Sequence, residues 1–89
     1  MKKTAGRKIS FQVKAESGSE VFVAGSFNNW DPGQYRMSDA GSGQSRTTLV
    51  LPPGRHEYKF VVNGEWRVDP NCVESVPNDQ GSLNSVVAV

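Results

Sequence analysis

Alternation of apolar and polar residues is the feature that most constrains what this chain can fold into. Every second residue is apolar along residues 8–15. A period of two recurs over residues 46–51, with Thr47, Leu49 and Leu51 on one face, and over residues 56–62, with Tyr58, Phe60 and Val62 on one face. Successive side chains of a β-strand point to opposite faces of a sheet, so this pattern predicts strands that are buried on one side. No longer segment carries the 3.6-residue period of an amphipathic helix. The alternation therefore predicts an all-β domain.

Turn signals separate the predicted strands. Three more strands are predicted, over residues 20–27, 65–68 and 83–89. Asn63-Gly64 predicts a two-residue hairpin, because both central positions of such a turn favour positive φ. Residues 28–44 and 69–82 are polar and are predicted as long surface loops, the first with one short strand near residues 35–37. About seven short strands in one chain of this length indicate an antiparallel β-sandwich.

The length and charge of the chain narrow its class. Its 89 residues suffice for one domain, and we expect residues 1–7 to form a flexible tail and residues 8–89 to form the domain. A net charge of +1 gives no field that would attract nucleic acid. No apolar run approaches the ~20 residues of a membrane span or forms a signal-peptide core. We therefore expect a cytoplasmic domain that binds neither nucleic acid nor membranes.

The sequence offers little for catalysis or for cofactors. With one cysteine, Cys72, and one histidine, His56, the chain has neither an internal disulfide nor a Cys/His metal cluster. A glycosidase needs two placed carboxylates in a cleft. The Asp and Glu residues of this chain fall in loops, turns or alternating strands, where solvated side chains are ordinary. We expect no cofactor, no metal and no catalytic activity.

Two tryptophans are the most informative side chains. Trp30 opens a polar loop and Trp66 follows the Asn63-Gly64 turn, and their neighbours are polar, charged or Gly rather than an apolar run. Each indole either belongs to an exposed platform or covers one end of the sandwich core. The spacing favours neither alternative for Trp30, whereas the hairpin position favours the platform for Trp66.

An exposed indole platform has two candidate ligands. The C–H face of a pyranose can stack on an indole, while its hydroxyls need donors and acceptors. One stack buries on the order of 100 Å² of apolar surface, or about 2–3 kcal/mol, and two stacks predict roughly micromolar to millimolar affinity. Unpaired bases also stack on aromatics, but they normally require a basic groove. A sugar is therefore expected, which requires two solvent-open indoles on one side of the domain, coplanar enough to receive successive glucose units.

Three segments, residues 21–30, 51–70 and 84–89, resemble carbohydrate-binding module family 48 in their order and spacing. That family includes the glycogen-binding domain of the AMP-activated protein kinase beta subunit and N-terminal domains of branching and debranching enzymes. The likeness runs from about Ile9 to the end of the chain. It implies an immunoglobulin-like β-sandwich with a non-catalytic site for α-1,4-linked glucans such as glycogen, starch and maltodextrins.

The resemblance also implies which side chains bind the sugar. Trp30 and Trp66 match the two stacking aromatics of the family. Lys59 matches a lysine that hydrogen-bonds sugar hydroxyls. The alternation agrees with this role, since Tyr58 and Phe60 are expected in the core and Lys59 then points away from it.

Three polar residues near the C-terminal end complete the site that the resemblance implies. Asn84 matches a sugar-binding asparagine, and Ser82 stands where kinase-type domains have a threonine. Gln80 stands where those domains carry a leucine that enters the curved glucan. A glutamine hydrogen-bonds but does not supply that apolar contact, so affinity and the preference for curved glucans are expected to differ.

The substitution at Gln80 keeps a second function open. In this alternative, the same fold serves as a protein-interaction or regulatory domain with weak or no glucan binding. The expected partners are accordingly an α-glucan polysaccharide or maltooligosaccharide and, in addition, a protein partner or parent enzyme. Retention on starch with elution by maltodextrin distinguishes the two functions.

Overall fold

The computed structural model describes residues 6–72 and 74–89, and almost all of its regular structure is β-strand. A 3-10 helix covers Ser26–Asn28. The strands, in chain order, are β1 (Arg7–Lys14), β2 (Val21–Gly25), β3 (Tyr35–Arg36), β4 (Ser38–Gly41), β5 (Gln44–Leu51), β6 (Arg55–Val62), β7 (Glu65–Arg67), β8 (Ser75–Pro77) and β9 (Leu83–Ala88). The predicted all-β class is confirmed. None of the described helical structure has the length and apolar character needed to cross a membrane.

The strands pair into two sheets. The smaller sheet has the order β1-β5-β4, and the larger has the order β3-β2-β6-β9-β8. Strand β6 is the centre of the larger sheet: β2 lies along one side of it, while β7 and β9 share the other side at opposite ends. Every one of these pairings is antiparallel, as the sequence predicts.

The core lies between the two sheets and is built from alternate residues of the strands. Phe60 of β6 is fully buried at its centre, and Tyr58 of the same strand meets the ring of Phe11 edge-on at 4.9 Å. The predicted inward direction of Tyr58 and Phe60 is confirmed. The remaining buried members of this cluster are Val13, Val21, Val23, Met37, Leu51 and Val62.

The outward side chains of β6 alternate with these core residues. Lys59 lies opposite Ala24 of β2, and Val61 lies opposite Trp66 of β7. Directly opposed residues of paired strands point to the same side of a sheet. The outward residues of β2, β6, β7 and β9 therefore share one surface, and this surface carries the candidate site.

The structure contains more strands than the sequence predicts. Strands β4 and β8 lie inside segments that were predicted as loops, and the strand predicted over residues 20–27 ends at Gly25. Both extra strands are short, largely exposed and paired at sheet edges, so they carry no apolar alternation that the sequence could reveal. At Gly25 a Cβ atom would lie 2.3 Å from the carbonyl oxygen of Glu57. This close approach of β2 to β6 requires glycine.

The expected N-terminal tail falls largely outside the described residues. Residues 1–5 are not described, and β1 begins at Arg7, the last residue of the segment that was expected to be flexible. Strand β1 then pairs with β5 over its whole length, from Arg7 opposite Leu51 to Lys14 opposite Gln44.

Candidate functional site

An open groove of about 880 Å³ lies on the outward surface of the larger sheet. All six residues that were named from the sequence line it: Trp30, Lys59, Trp66, Gln80, Ser82 and Asn84. Five further residues contribute to the lining: Ser26, Glu57, Pro77, Asn78 and Asp79. The structure therefore brings together side chains from the turn after β2, from β6 and β7, and from the connection between β8 and β9.

Trp66 reaches the groove from a tight hairpin between β6 and β7. Asn63 has φ 50° and Gly64 has φ 83°, so the predicted turn with two positive φ values is confirmed. Trp66 then lies opposite Val61. All three residues of β7 are exposed, and Trp66 retains 43% of its accessible surface. Its indole is thus a surface group rather than part of the core.

Trp30 is positioned by the irregular turn that follows β2. The side chain of Asn28 ties this turn together, because its Oδ1 accepts the N–H of Gly25 at 3.0 Å and its Nδ2 donates to the carbonyl of Asp31 at 3.2 Å. Asn29 and Trp30 have φ values of 57° and 59°. The left-handed region is rare for a bulky residue and costs on the order of 1–2 kcal/mol. Such strain is concentrated at ligand sites in proteins.

The two indoles form one surface feature, and this feature is bent. Their ring centroids are 6.4 Å apart and their planes meet at 52°. Trp30 is partly exposed, and neither ring is packed inside the sandwich or turned to the opposite side of the domain. The ring planes are tilted rather than parallel, and the two indoles come from different elements: Trp30 lies in the turn after β2 and Trp66 lies in strand β7. A ligand that stacks on both rings has to bend between them.

Lys59 crosses from β6 to the turn on the far side of the groove. Its Nζ donates a hydrogen bond of 2.8 Å to Oγ of Ser82. Lys59 forms no ion pair with any residue in the described part of the chain. An ammonium group has three N–H donors, so two remain available to a ligand.

Asn84 is more buried than we would expect of a side chain that contacts a sugar at the surface, since only 6% of its surface is exposed. Its Oδ1 accepts a hydrogen bond from Nδ2 of Asn78 at 3.0 Å, and its own Nδ2 donates to Oε1 of Glu57 at 2.9 Å. Oδ1 of Asn78 in turn accepts the backbone N–H groups of Gln80 and Ser82 at 2.9 and 3.1 Å. This chain of hydrogen bonds joins the turn over residues 78–82 to β6.

Glu57 and Asn78 are groove residues that the sequence reasoning missed. Glu57 was grouped with the other carboxylates as solvated, although its place two residues before Lys59 puts both on the same side of β6. That spacing is the signal that would have found it. Asn78 has no comparable signal, because its role depends on how the turn after β8 folds.

The groove lining holds few charged groups, one cation and two carboxylates. Lys59 is the cation and Glu57 and Asp79 are the carboxylates of the described lining, whereas Glu65 and Arg67 beside the groove pair with each other at 2.9 Å and do not line it. Within residues 6–72 and 74–89, no cluster of three His, Cys, Asp or Glu side chains is arranged to hold a metal ion. The groove is therefore suited to an uncharged, polar ligand with flat apolar faces.

The core side of β6 holds the loop that follows β7. Tyr58 donates a hydrogen bond of 2.6 Å from its hydroxyl to Oδ2 of Asp69, and the backbone N–H of Asp69 donates to Oγ of Ser85 at 2.9 Å. Burial, together with the hydrogen bond and the charge of Asp69, raises the pKa of Tyr58. Tyr58 thus contributes to the groove indirectly, by fixing the chain behind it.

The chain matches a known family over most of its length. The model of the family described as the glycogen recognition site of AMP-activated protein kinase matches residues 8–89. The chain belongs to this family. The resemblance found in three sequence segments is thereby confirmed. Modules of this kind bind carbohydrate and are not catalytic.

Three relatives show how the module is distributed. The Arabidopsis thaliana protein named "Protein PTST homolog 2, chloroplastic" is 46% identical over 58 residues, which are 65% of this chain and 11% of that protein. The 5'-AMP-activated protein kinase subunit beta-2 of Homo sapiens is 40% identical over 76 residues, which are 84% of this chain and 26% of the subunit. The beta-1 subunit of Sus scrofa is 40% identical over 73 residues, with shares of 81% and 56%. The chain thus spans about a tenth to just over half of these relatives.

Proposed function

We propose that this chain binds α-1,4-linked glucans, such as glycogen, starch and maltodextrins, by stacking glucose rings on Trp30 and Trp66. The observation that carries the proposal is the pair of indoles, 6.4 Å apart, beside an open and polar groove. A glucose ring has an apolar C–H face that matches an indole and a rim of hydroxyls that matches amide, hydroxyl and ammonium groups. The family supports the same ligand, since it is described by its recognition of glycogen.

The tilt between the indoles favours an α-linked chain over a flat one. The α-1,4 linkage turns each glucose relative to the one before it, so the chain curves, whereas a β-1,4-linked chain is extended and flat. Ring planes that meet at 52° can each receive one glucose of a curved chain. A flat chain can lie on only one of the two indoles, and we therefore expect weak binding of cellooligosaccharides.

Polar side chains on both sides of the indoles supply the hydrogen bonds in this proposal. Lys59 offers two N–H donors beyond its bond to Ser82, and Ser82 offers its hydroxyl. Gln80 offers its amide from the exposed tip of the turn. Asn84 acts from the floor of the groove, where its remaining donor and acceptor capacity faces the ligand.

The affinity expected from these groups is weak. Two stacked glucose units contribute about 2–3 kcal/mol each, and association itself costs several kcal/mol. Gln80 adds hydrogen bonding but no apolar contact. The resulting dissociation constant lies roughly between micromolar and millimolar, and it should respond little to salt because the expected ligand is uncharged.

The test of this proposal is the Trp66→Ala variant, titrated with maltoheptaose by calorimetry. Loss of one stack of about 2 kcal/mol weakens binding about thirtyfold. The melting temperature should hardly change, because Trp66 is 43% exposed and lies outside the core. Undiminished binding by Trp66→Ala contradicts the proposed site, and unfolding of the variant shows that the indole serves the fold.

Val50→Ala is the matched control for this experiment. Val50 is 65% exposed and lies on the smaller sheet, opposite Lys8 of β1, away from the groove. Like Trp66→Ala, the Val50→Ala variant replaces an exposed apolar side chain with alanine. Its affinity for maltoheptaose should equal that of the wild-type chain.

A second candidate function is docking to an acidic protein surface, and the outward face of the smaller sheet supports it. Lys8, Lys14 and Arg46 lie there beside the exposed Val50, and neither β1 nor β5 contains an acidic residue. Two of the relatives compared above are named as subunits of a kinase. Retention on insoluble starch with elution by maltodextrin supports the glucan proposal, whereas failure to be retained favours docking as the main function.

We also propose that residues 8–89 act as one cytoplasmic module and perform no catalysis in the protein that carries them. The match of the family over residues 8–89 supports a single module. Release of reducing ends from glycogen by the purified chain would contradict the absence of catalysis. The location is checked by cell fractionation, since one relative is named as chloroplastic.

A further inference from the structure

The groove contains one carboxylate whose orientation is fixed by hydrogen bonds. Oε1 of Glu57 accepts from Nδ2 of Asn84 at 2.9 Å, and the backbone N–H of Glu57 donates to Oγ of Ser26 at 3.1 Å. Oε2 of Glu57 accepts no hydrogen bond from the described residues, and Glu57 lines the groove. One oxygen of this carboxylate is therefore engaged by the protein, while the other is available to a ligand.

The direction of the hydrogen bonds around Asn84 follows from the groups at the two ends of this hydrogen-bond network. A carboxylate only accepts, so Asn84 must turn its Nδ2 toward Glu57 and its Oδ1 toward Asn78. Backbone N–H groups only donate, so Asn78 must turn its Oδ1 toward Gln80 and Ser82. Both amides thus have a single consistent orientation.

We propose that Glu57 is a specificity-determining residue of the groove: it accepts hydrogen bonds from glucose hydroxyls and disfavours α-glucans that carry anionic groups. Asn84 is then a positioning residue that holds Glu57. This inference rests on the proposed glucan function and adds to it the charge class of the ligand. A charged acceptor forms stronger hydrogen bonds with hydroxyls than a neutral one, and the same charge repels a phosphate or carboxylate on the sugar.

The balance of charge in the groove supports this selectivity. Glu57 and Asp79 are the acidic residues of the described lining, and Lys59 is its cation. The ammonium of Lys59 already donates to Ser82. The nearby Arg55 is paired with Glu74 at 2.6 Å, so its charge neutralises Glu57 less than the charge of an unpaired arginine would. An anionic substituent that enters the groove therefore meets more negative than positive charge.

Glu57→Gln is the variant that separates these effects. The glutamine carbonyl can still accept from Asn84, which keeps the turn joined to β6, while its NH₂ group replaces the free acceptor and removes the charge. The probes are maltoheptaose and maltoheptaose oxidised at C6, which carries one carboxylate on each oxidised glucose. Glu16→Gln is the control for net charge, because Glu16 is an exposed residue in the turn after β1.

The expected result is a change of opposite sign for the two probes. Glu57→Gln should bind maltoheptaose about three- to fivefold more weakly and the oxidised probe about three- to fivefold more tightly, so selectivity for the neutral chain falls about ten- to twenty-five-fold. The gain for the oxidised probe should shrink at high salt. Glu16→Gln should leave both affinities at the wild-type value.

Asn84→Ala tests the positioning role, and the quantity measured is again the selectivity for maltoheptaose over oxidised maltoheptaose. It should reduce the selectivity of the wild-type chain but have little further effect on selectivity in the Glu57→Gln background, because Asn84 acts through Glu57. Three results would overturn this inference alone. They are equal changes in the affinity for both probes, tighter binding of the oxidised probe by the wild type, and additive effects of the two substitutions on selectivity. No binding of maltoheptaose by the folded wild-type chain overturns the proposed function together with it.

Discussion

The two sides of strand β6 differ in burial and in the kind of side chain that they carry. Tyr58 and Phe60 point inward and are almost completely buried between the sheets. Glu57 and Lys59 point outward, remain partly exposed and line the groove. One strand therefore supplies residues to the core from one side and residues to the groove from the other.

This difference teaches that stability and recognition are separable in this domain at the level of single residues. The inward side chains contribute through burial and close packing, whose loss leaves a cavity. The outward side chains of Glu57 and Lys59 are polar and make hydrogen bonds to Asn84 and Ser82, respectively. Substitutions at neighbouring positions should therefore affect different properties, and three variants test this.

The largest effect is expected for Phe60→Ala. Phe60 is fully buried, and truncation of a buried phenylalanine costs about 3–5 kcal/mol of unfolding free energy. For a domain of this size that is a large part of the total stability. Urea denaturation followed by circular dichroism measures the change, and a loss below about 1 kcal/mol would contradict the central place of Phe60 in the core.

An intermediate effect on stability is expected for Tyr58→Phe. The variant keeps the buried ring but removes the hydrogen bond to Asp69, at a cost of about 1–2 kcal/mol. The pKa of Tyr58 is raised in the folded state, so its stabilising contribution is complete below pH ~10, where an unfolded tyrosine begins to ionise, and decreases above that pH. The stability curves of wild type and variant should converge between pH 10 and 11. Parallel curves in urea denaturation over this range would show that Tyr58 does not carry the effect.

The smallest effect on stability is expected for Lys59→Met. This variant keeps the apolar stem of the side chain and removes the ammonium that donates to Ser82. Stability should change by less than about 0.5 kcal/mol, while binding of maltoheptaose should weaken about fivefold. Lys14→Met, on the outward face of the smaller sheet, is the matched control and should leave binding unchanged. A large loss of stability in Lys59→Met would remove the distinction between the two sides of β6.

The sequence predicted most of the fold, because most of the strands and turns have local signals such as apolar alternation and turn residues. The alternation around Tyr58 and Phe60 identified the inward side of β6, and Asn63-Gly64 identified the hairpin, since these signals depend on neighbours in the chain. Strands β4 and β8 were missed because edge pairing with β5 and β9 supports them rather than their own apolar residues.

The residues of the candidate site were predicted better than their arrangement. The six groove residues were found by resemblance, but the burial of Asn84 was not, because it depends on the turn that covers it from residues 78–82. The 52° angle between the indoles likewise depends on the left-handed backbone at Trp30, which no local pattern indicates. Long-range geometry of this kind is a property of the assembled sheets.

The most direct test of the central claim is a titration with maltoheptaose in which the indole N–H resonances are followed by NMR. The chain contains two tryptophans, so each resonance reports on one ring of the platform. We expect both signals to move along one binding curve with a dissociation constant roughly between micromolar and millimolar, while resonances on the outward face of the smaller sheet stay in place. Indole signals that do not respond at millimolar maltoheptaose, or that respond with two different curves, would contradict a joint glucan platform.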